Sequence, residues 1–146
     1  MCMMIYIGAQ QPLTLRPWAE TAPGFHVAEL SLAIDEVRTR LETSHLYYAG
    51  SYEGCGCGFQ CGEYSEDASS PEELAKCRQS LSDFADYLDS ELGRVGRIML
   101  FACWAGDEAE GVVHRRQLQP STLRIAGFHF LQHEASEFVP DPIQMG

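Results

Sequence analysis

Residues 70–103 read SPEELAKCRQSLSDFADYLDSELGRVGRIMLFAC. Ser70 stands at an N-cap position, Pro71 at the first helical position and Glu73 at the third, which is a capping box. Leu74, Cys77, Leu81, Phe84, Leu88 and Leu92 recur at helical spacing and form one apolar stripe. Gly93 is the expected stop. The spacing therefore predicts a helix over 71–92. Arg97 to Cys103 follows as a buried strand, with Ile98, Met99, Leu100 and Phe101 in one unbroken apolar run.

Working back toward the N-terminus, Met3 to Ile7 is a second continuous run that ends at Gly8. His45 to Gly50 is a third, through Leu46, Tyr47, Tyr48 and Ala49. Between them Leu30, Ile34, Val37 and Leu41 have helical spacing, so a helix over 32–43 is expected, with Ser31 at its N-cap. Residues 9–25 hold Pro12, Pro17, Pro23 and Gly24 and read as a long irregular connection. Beyond Cys103 the pattern weakens. Val112 and Val113 suggest a short strand, Leu123 to Leu131 another, and residues 140–146 a tail.

Strand, helix, strand, helix, strand implies an α/β fold. The expectation is a small layered domain over 1–139, with a mostly parallel central sheet and two main helices. Parallel strands would end on one side, where open α/β sheets bind ligands. Gly8 to Gln10, Ser51 to Cys61 and Cys103 to Glu108 would then be neighbours. This site arrangement fails if the second and third strands run antiparallel, or if Cys103 lies across the sheet from Cys57.

The segment Ser51-Tyr52-Glu53-Gly54-Cys55-Gly56-Cys57-Gly58-Phe59-Gln60-Cys61-Gly62-Glu63 interleaves cysteine with glycine. Glycines allow sharp turns and bring backbone N–H groups to one point. Neither a P-loop nor a dinucleotide fingerprint is present. Three chemistries fit. Glu53, Gly54, Gly56, Gly58 and Trp104 are candidate ligand-binding residues, with Trp18, Tyr52 and Trp104 able to supply an apolar platform. Cys57 or Cys103 is a candidate nucleophile, with Asp107 beside it for orientation or proton transfer. Cys55, Cys57, Cys61 and Cys103 are candidate zinc ligands, since zinc takes tetrahedral thiolate sets, although Cys-x-Cys is not the usual knuckle spacing. Against these stand plain structural roles. Cys77 lies on the apolar stripe, Cys2 opens a buried strand, and a buried cysteine behaves as a small hydrophobe. His45 should sit at the far end of its strand from the loop. His114, His129 and His133 are candidates only if the C-terminal third folds back.

The whole chain has 146 residues, 10 basic and 21 acidic, for a formal net charge of -11. That argues against an electrostatic nucleic-acid surface and a polybasic membrane anchor. No apolar run is long enough to span a bilayer, and the first residues lack a basic n-region. A cytoplasmic setting follows, in which the six cysteines read as thiols or ligands before disulfides.

Residues 47–59 (YYAGSYEGCGCGF) and 101–107 (FACWAGD) resemble a group of small uncharacterised bacterial proteins with a Tyr-Glu-Gly-Cys-Gly-Cys-Gly-Phe segment. The resemblance implies a bacterial cytoplasmic origin. No activity, cofactor or catalytic residue comes with it. The leading expectation is a binding protein whose Gly-Cys loop takes a small molecule or a protein partner, with its cofactor none or unknown, no nucleic acid and no membrane, and with a homo-oligomer open to it. The alternatives are an enzyme with a reactive loop cysteine, using thiol or redox chemistry, and a structural zinc protein.

Overall fold

The structure is a computed structural model in which residues 2–30, 35–60, 71–125 and 127–142 are described. The expected caps Ser31 and Ser70, and Cys61, lie outside the described residues, as does most of the C-terminal tail. In chain order the elements are β1 (Met3–Ala9), β2 (His26–Glu29), α1 (Asp35–Leu41), β3 (His45–Gly50), a 3₁₀ turn (Gly56–Phe59), α2 (Pro71–Val95), β4 (Ile98–Trp104), β5 (Gln117–Leu118), α3 (Pro120–Leu123) and β6 (Glu134–Phe138).

The sheet runs β2-β3-β1-β4-β6-β5. Every pairing is antiparallel except the short β5–β6 pair. This corrects the expectation of a mostly parallel sheet with two main helices: the sheet is mixed and mostly antiparallel, with three helices among the described residues. The reason lies in the apolar runs. They report burial on both faces, and burial on both faces does not require parallel neighbours.

One face of the sheet presents Ile5, Ile7, Val27, Ala49, Leu100 and Phe138 to Leu81, Phe84, Leu88 and Leu92 of α2. Phe25 and Phe59 join them, with ring centroids 4.9 and 5.3 Å from Phe84. The other face presents Tyr6, Leu46, Phe101, Cys103 and Ala135 to Val37 and Leu41 of α1. The strand period of two sends alternate side chains to the two cores. α2 passes through Gly93 and closes at Val95, where the Gly96 N–H donates to the Leu92 carbonyl at 2.9 Å.

Several expectations past these four elements shift. Residues 9–25 are tied down: Arg16 pairs with Val27, the Leu13 N–H donates to the Tyr47 hydroxyl at 2.8 Å, and the Tyr87 hydroxyl donates to the Thr14 carbonyl at 2.7 Å. They lead into β2, which no pattern announced. Val113 lies outside the strands, and the strand expected within Leu123 to Leu131 is replaced by α3 and irregular chain. β6 lies further on. Its Glu134 is fully buried and is neutralised by Arg116, which bonds both carboxylate oxygens.

β3 and β4 flank β1 and are both antiparallel to it. They therefore run in the same direction, joined through α2, with β1 inserted between them. Ile5 pairs with Ala49, and Met3 with Trp104. The N-terminal end of β1 thus meets the C-terminal ends of β3 and β4 at one end of the sheet. Gly8 to Gln10, expected at that same end, lie at the opposite one, where Ala9 pairs with His45.

Candidate metal centre

The chain leaving β3 folds back at once. The Ser51 N–H donates to the Cys55 carbonyl and the Gly54 N–H to the Ser51 carbonyl, each at 3.0 Å. The Tyr48 hydroxyl reaches over the turn and donates to the Gly54 carbonyl at 2.7 Å. The 3₁₀ turn then lies flat on β1. A Cβ on Gly56 would stand 2.7 Å from Ile5 Cγ1 and 2.9 Å from the Met3 carbonyl oxygen, so only glycine permits this approach. Gly58 is pressed as closely against Ser51, with Ser51 Oγ 2.2 Å from its would-be Cβ. Gly54 offers its carbonyl to Tyr48, and Gly56 and Gly58 are packing contacts.

This packing carries Cys55 and Cys57 to the start of β1. The sulfurs of Cys2, Cys55 and Cys57 all lie within 4.8 Å of one another. Cys2 is exposed, and the two loop cysteines are half-buried. The Met3 N–H donates to Cys57 Sγ at 3.2 Å. Burial pushes the Cys55 thiol up to about 12; the Cys57 backbone group pulls it down, and the neighbouring sulfurs of Cys57 and Cys2 add to the rise. The Tyr48 phenol is raised above its ordinary range, first by burial and then by its proximity to Cys55, Cys2 and Cys57. These four side chains share one small volume.

Cys103 does not join them. It is 0% exposed and belongs to the core on the α1 side, opposite Met4 in the β1–β4 register, whereas Cys57 packs against the core on the α2 side. The two lie on opposite faces of the sheet, so the condition set against a shared site is met. Burial, with Glu108 and Asp107 nearby, pushes the Cys103 thiol up to about 12. Asp107 Oδ2 lies 3.5 Å from His133 Nε2, and Trp104 is half-buried against the α2-side core. Glu53 is exposed, with its N–H on Ser51 Oγ at 3.3 Å. His45 sits at the far end of its strand from the loop, as expected. Cys77 is buried on the α2 stripe and is disulfide-bonded.

Cys2 was missed because a parallel sheet sends the start of β1 to the end opposite the loop. Antiparallel pairing of β1 with β3 is the signal that would have found it. Arginine and lysine are absent from residues 44–63.

The fold and site together define a small α/β domain whose cysteine-rich loop forms a candidate metal-ligand cluster with Cys2. Among the described residues no helix is long and apolar enough to cross a membrane. No family model, curated protein or solved structure matches the chain.

Proposed function

We propose that the protein binds a thiophilic metal ion, zinc in the first place, through Cys2, Cys55 and Cys57. The observation that carries this reading is the convergence of three sulfurs within 4.8 Å. Zinc–sulfur bonds of about 2.3 Å put tetrahedral thiolates roughly 3.8 Å apart, so the side chains need contract by only about 1 Å. Zinc would take the three sulfurs as three corners of its tetrahedron.

The surroundings suit that chemistry. A thiol must lose its proton to ligate, and without a cation Cys55 holds its proton strongly. A divalent ion supplies the compensating charge. The Met3 N–H at Cys57 Sγ is the kind of outer contact that orients a thiolate ligand. The ion would clip the start of β1 to the loop between β3 and α2, which makes the role structural in the first instance.

Elemental analysis after mild purification, with chelator challenge, tests this. The expected result is one zinc per chain and a lower melting temperature after chelation. Absence of bound metal, together with unchanged melting in chelator and in added zinc, overturns the reading.

A further inference from the structure

We propose that, in the metal-free protein, a hydroperoxide converts Cys2 and Cys55 into a reversible disulfide, so that metal and disulfide are alternative states of one cluster. The second half of this proposal rests on the metal reading; the first half does not.

Geometry selects the pair. Cys2 is the exposed member and the one an oxidant in solution meets first. It precedes β1, with its carbonyl accepting the Ala105 N–H at 2.7 Å, which holds the backbone while leaving the side chain to rotate. The Cys55 sulfur lies within 4.8 Å of both the Cys2 and the Cys57 sulfur. Cys57 is tied down on two sides: its sulfur accepts the Met3 N–H and its side chain packs on the core. A Cys55–Cys57 bridge would close a tight ring around Gly56, whose backbone is already pressed on Ile5 and Met3. Bridging needs a sulfur separation of about 2.0 Å, and the Cys2–Cys55 pair starts within 4.8 Å.

The chemistry balances in two steps. The Cys2 thiolate attacks one peroxide oxygen, the O–O bond breaks, and Cys2 becomes a sulfenic acid while the departing oxygen takes a proton and leaves as water or an alcohol. The Cys55 sulfur then attacks the Cys2 sulfur. The S–S bond forms, the S–O bond breaks, and the hydroxyl leaves as water with the proton from Cys55. Two thiols lose two electrons, and the peroxide gains them. An external dithiol returns the pair to thiols by exchange. A bound cation engages the sulfur lone pairs and slows the first step.

The test uses the full chain, reduced and freed of metal by chelator, treated with a small excess of hydrogen peroxide. Peptide mapping should show loss of the Cys2 and Cys55 thiols, a Cys2–Cys55 cross-linked peptide separate from the bridge that Cys77 re-forms, and full recovery with dithiothreitol. Zinc added beforehand should slow the loss at least tenfold. Cys2→Ser, at an exposed position, should abolish the cross-link. Cys2 recovered only as sulfenic or higher acids, or a Cys55–Cys57 bridge of equal yield in wild type and Cys2→Ser, overturns the proposal. A Cys2–Cys55 bridge that forms equally fast with zinc present supports the disulfide and overturns its coupling to metal.

Discussion

The backbone N–H of Met3 donates to the sulfur of Cys57, 54 residues away in sequence, at 3.2 Å. This bond joins the first residue of β1 to the loop that follows β3, so the cluster cannot move independently of the sheet. Cys57→Ser shortens the side chain and exchanges a soft donor for a hard one. The expected outcome is a loss of zinc affinity of at least tenfold, in line with the sensitivity of metal sites to their ligand shells. Competition against a chromophoric chelator measures it. Unchanged affinity would remove Cys57 from the ligand set.

Tyr48 acts one step further out. Its hydroxyl donates to the Gly54 carbonyl and holds the turn that presents Cys55. Tyr48→Phe keeps the ring and removes the donor. Leaving that carbonyl without its partner costs about 1–3 kcal/mol. Urea denaturation of the metal-free protein should show this loss. Zinc affinity should fall as well, because Cys55 is positioned by the same turn. A stability loss with unchanged affinity would make Tyr48 a residue of the fold alone.

The contrast between Cys77 and Cys2 shows what the sequence discloses. Cys77 sits at helical spacing between Leu74 and Leu81, and the period alone places it on the buried stripe of α2. The apolar runs of β1, β3 and β4 are equally plain, and the loop carrying Cys55 and Cys57 was recognised from composition. Strand direction was not. A run such as Ile98 to Phe101 looks the same whether its neighbours are parallel or antiparallel, because the helices and loops that cover it are the same in both cases. That ambiguity hid Cys2, whose place beside the loop depends wholly on the β1–β3 direction. β2 and β5 have four and two residues, too few for a period of two to stand out.

Gly56→Ala tests the fit of the loop against β1. The added Cβ meets the Met3 carbonyl, a backbone atom that cannot rotate away. Overpacking of this kind costs about 1–3 kcal/mol. The loop should lift, separating Cys55 and Cys57 from Cys2. The expected outcome is reduced stability and weaker zinc binding in one variant. Gly93→Ala is the control: nothing lies within 4 Å of its would-be Cβ, and α2 continues through it. That substitution should leave zinc binding unchanged and stabilise the helix slightly. Equal zinc binding in the two variants would separate the cluster from the packing of the loop.

Cys103 provides a test of reactivity within one chain. It is fully buried, and its thiol is pushed up to about 12 by burial and by Glu108 and Asp107. The thiolate is the reactive form. Cys2 is exposed. Under native conditions at pH 8, a maleimide should label Cys2 and leave Cys103 unmodified until denaturant is added. Peptide mapping after a timed pulse distinguishes them. Fast native labelling of Cys103 would mean that the sheet opens on the α1 side, and would return it to the candidate nucleophiles.

Glu91 couples the stability of the fold to acid pH. It is buried on α2, accepts a hydrogen bond from the Thr14 N–H and pairs with Arg94 at 3.0 Å. Burial pushes its carboxyl up, but the Thr14 contacts and Arg94 together outweigh burial, and the net shift is downward from 4.5. A carboxyl lowered in the folded state adds stability above its unfolded value, and that stability is lost as the pH falls through the lower folded value. Glu91→Gln removes the charge and keeps the shape. At pH 7 the variant should be less stable than the wild type by about 1.5–3 kcal/mol, the range for hydrogen bonds to charged groups. Between pH 4.5 and the acid side of the folded value the gap should close, as the wild-type carboxylate gains its proton. Urea midpoints measured across this range read the gap directly. A gap that stays constant, or widens toward acid, would show that Glu91 is held by shape rather than by charge.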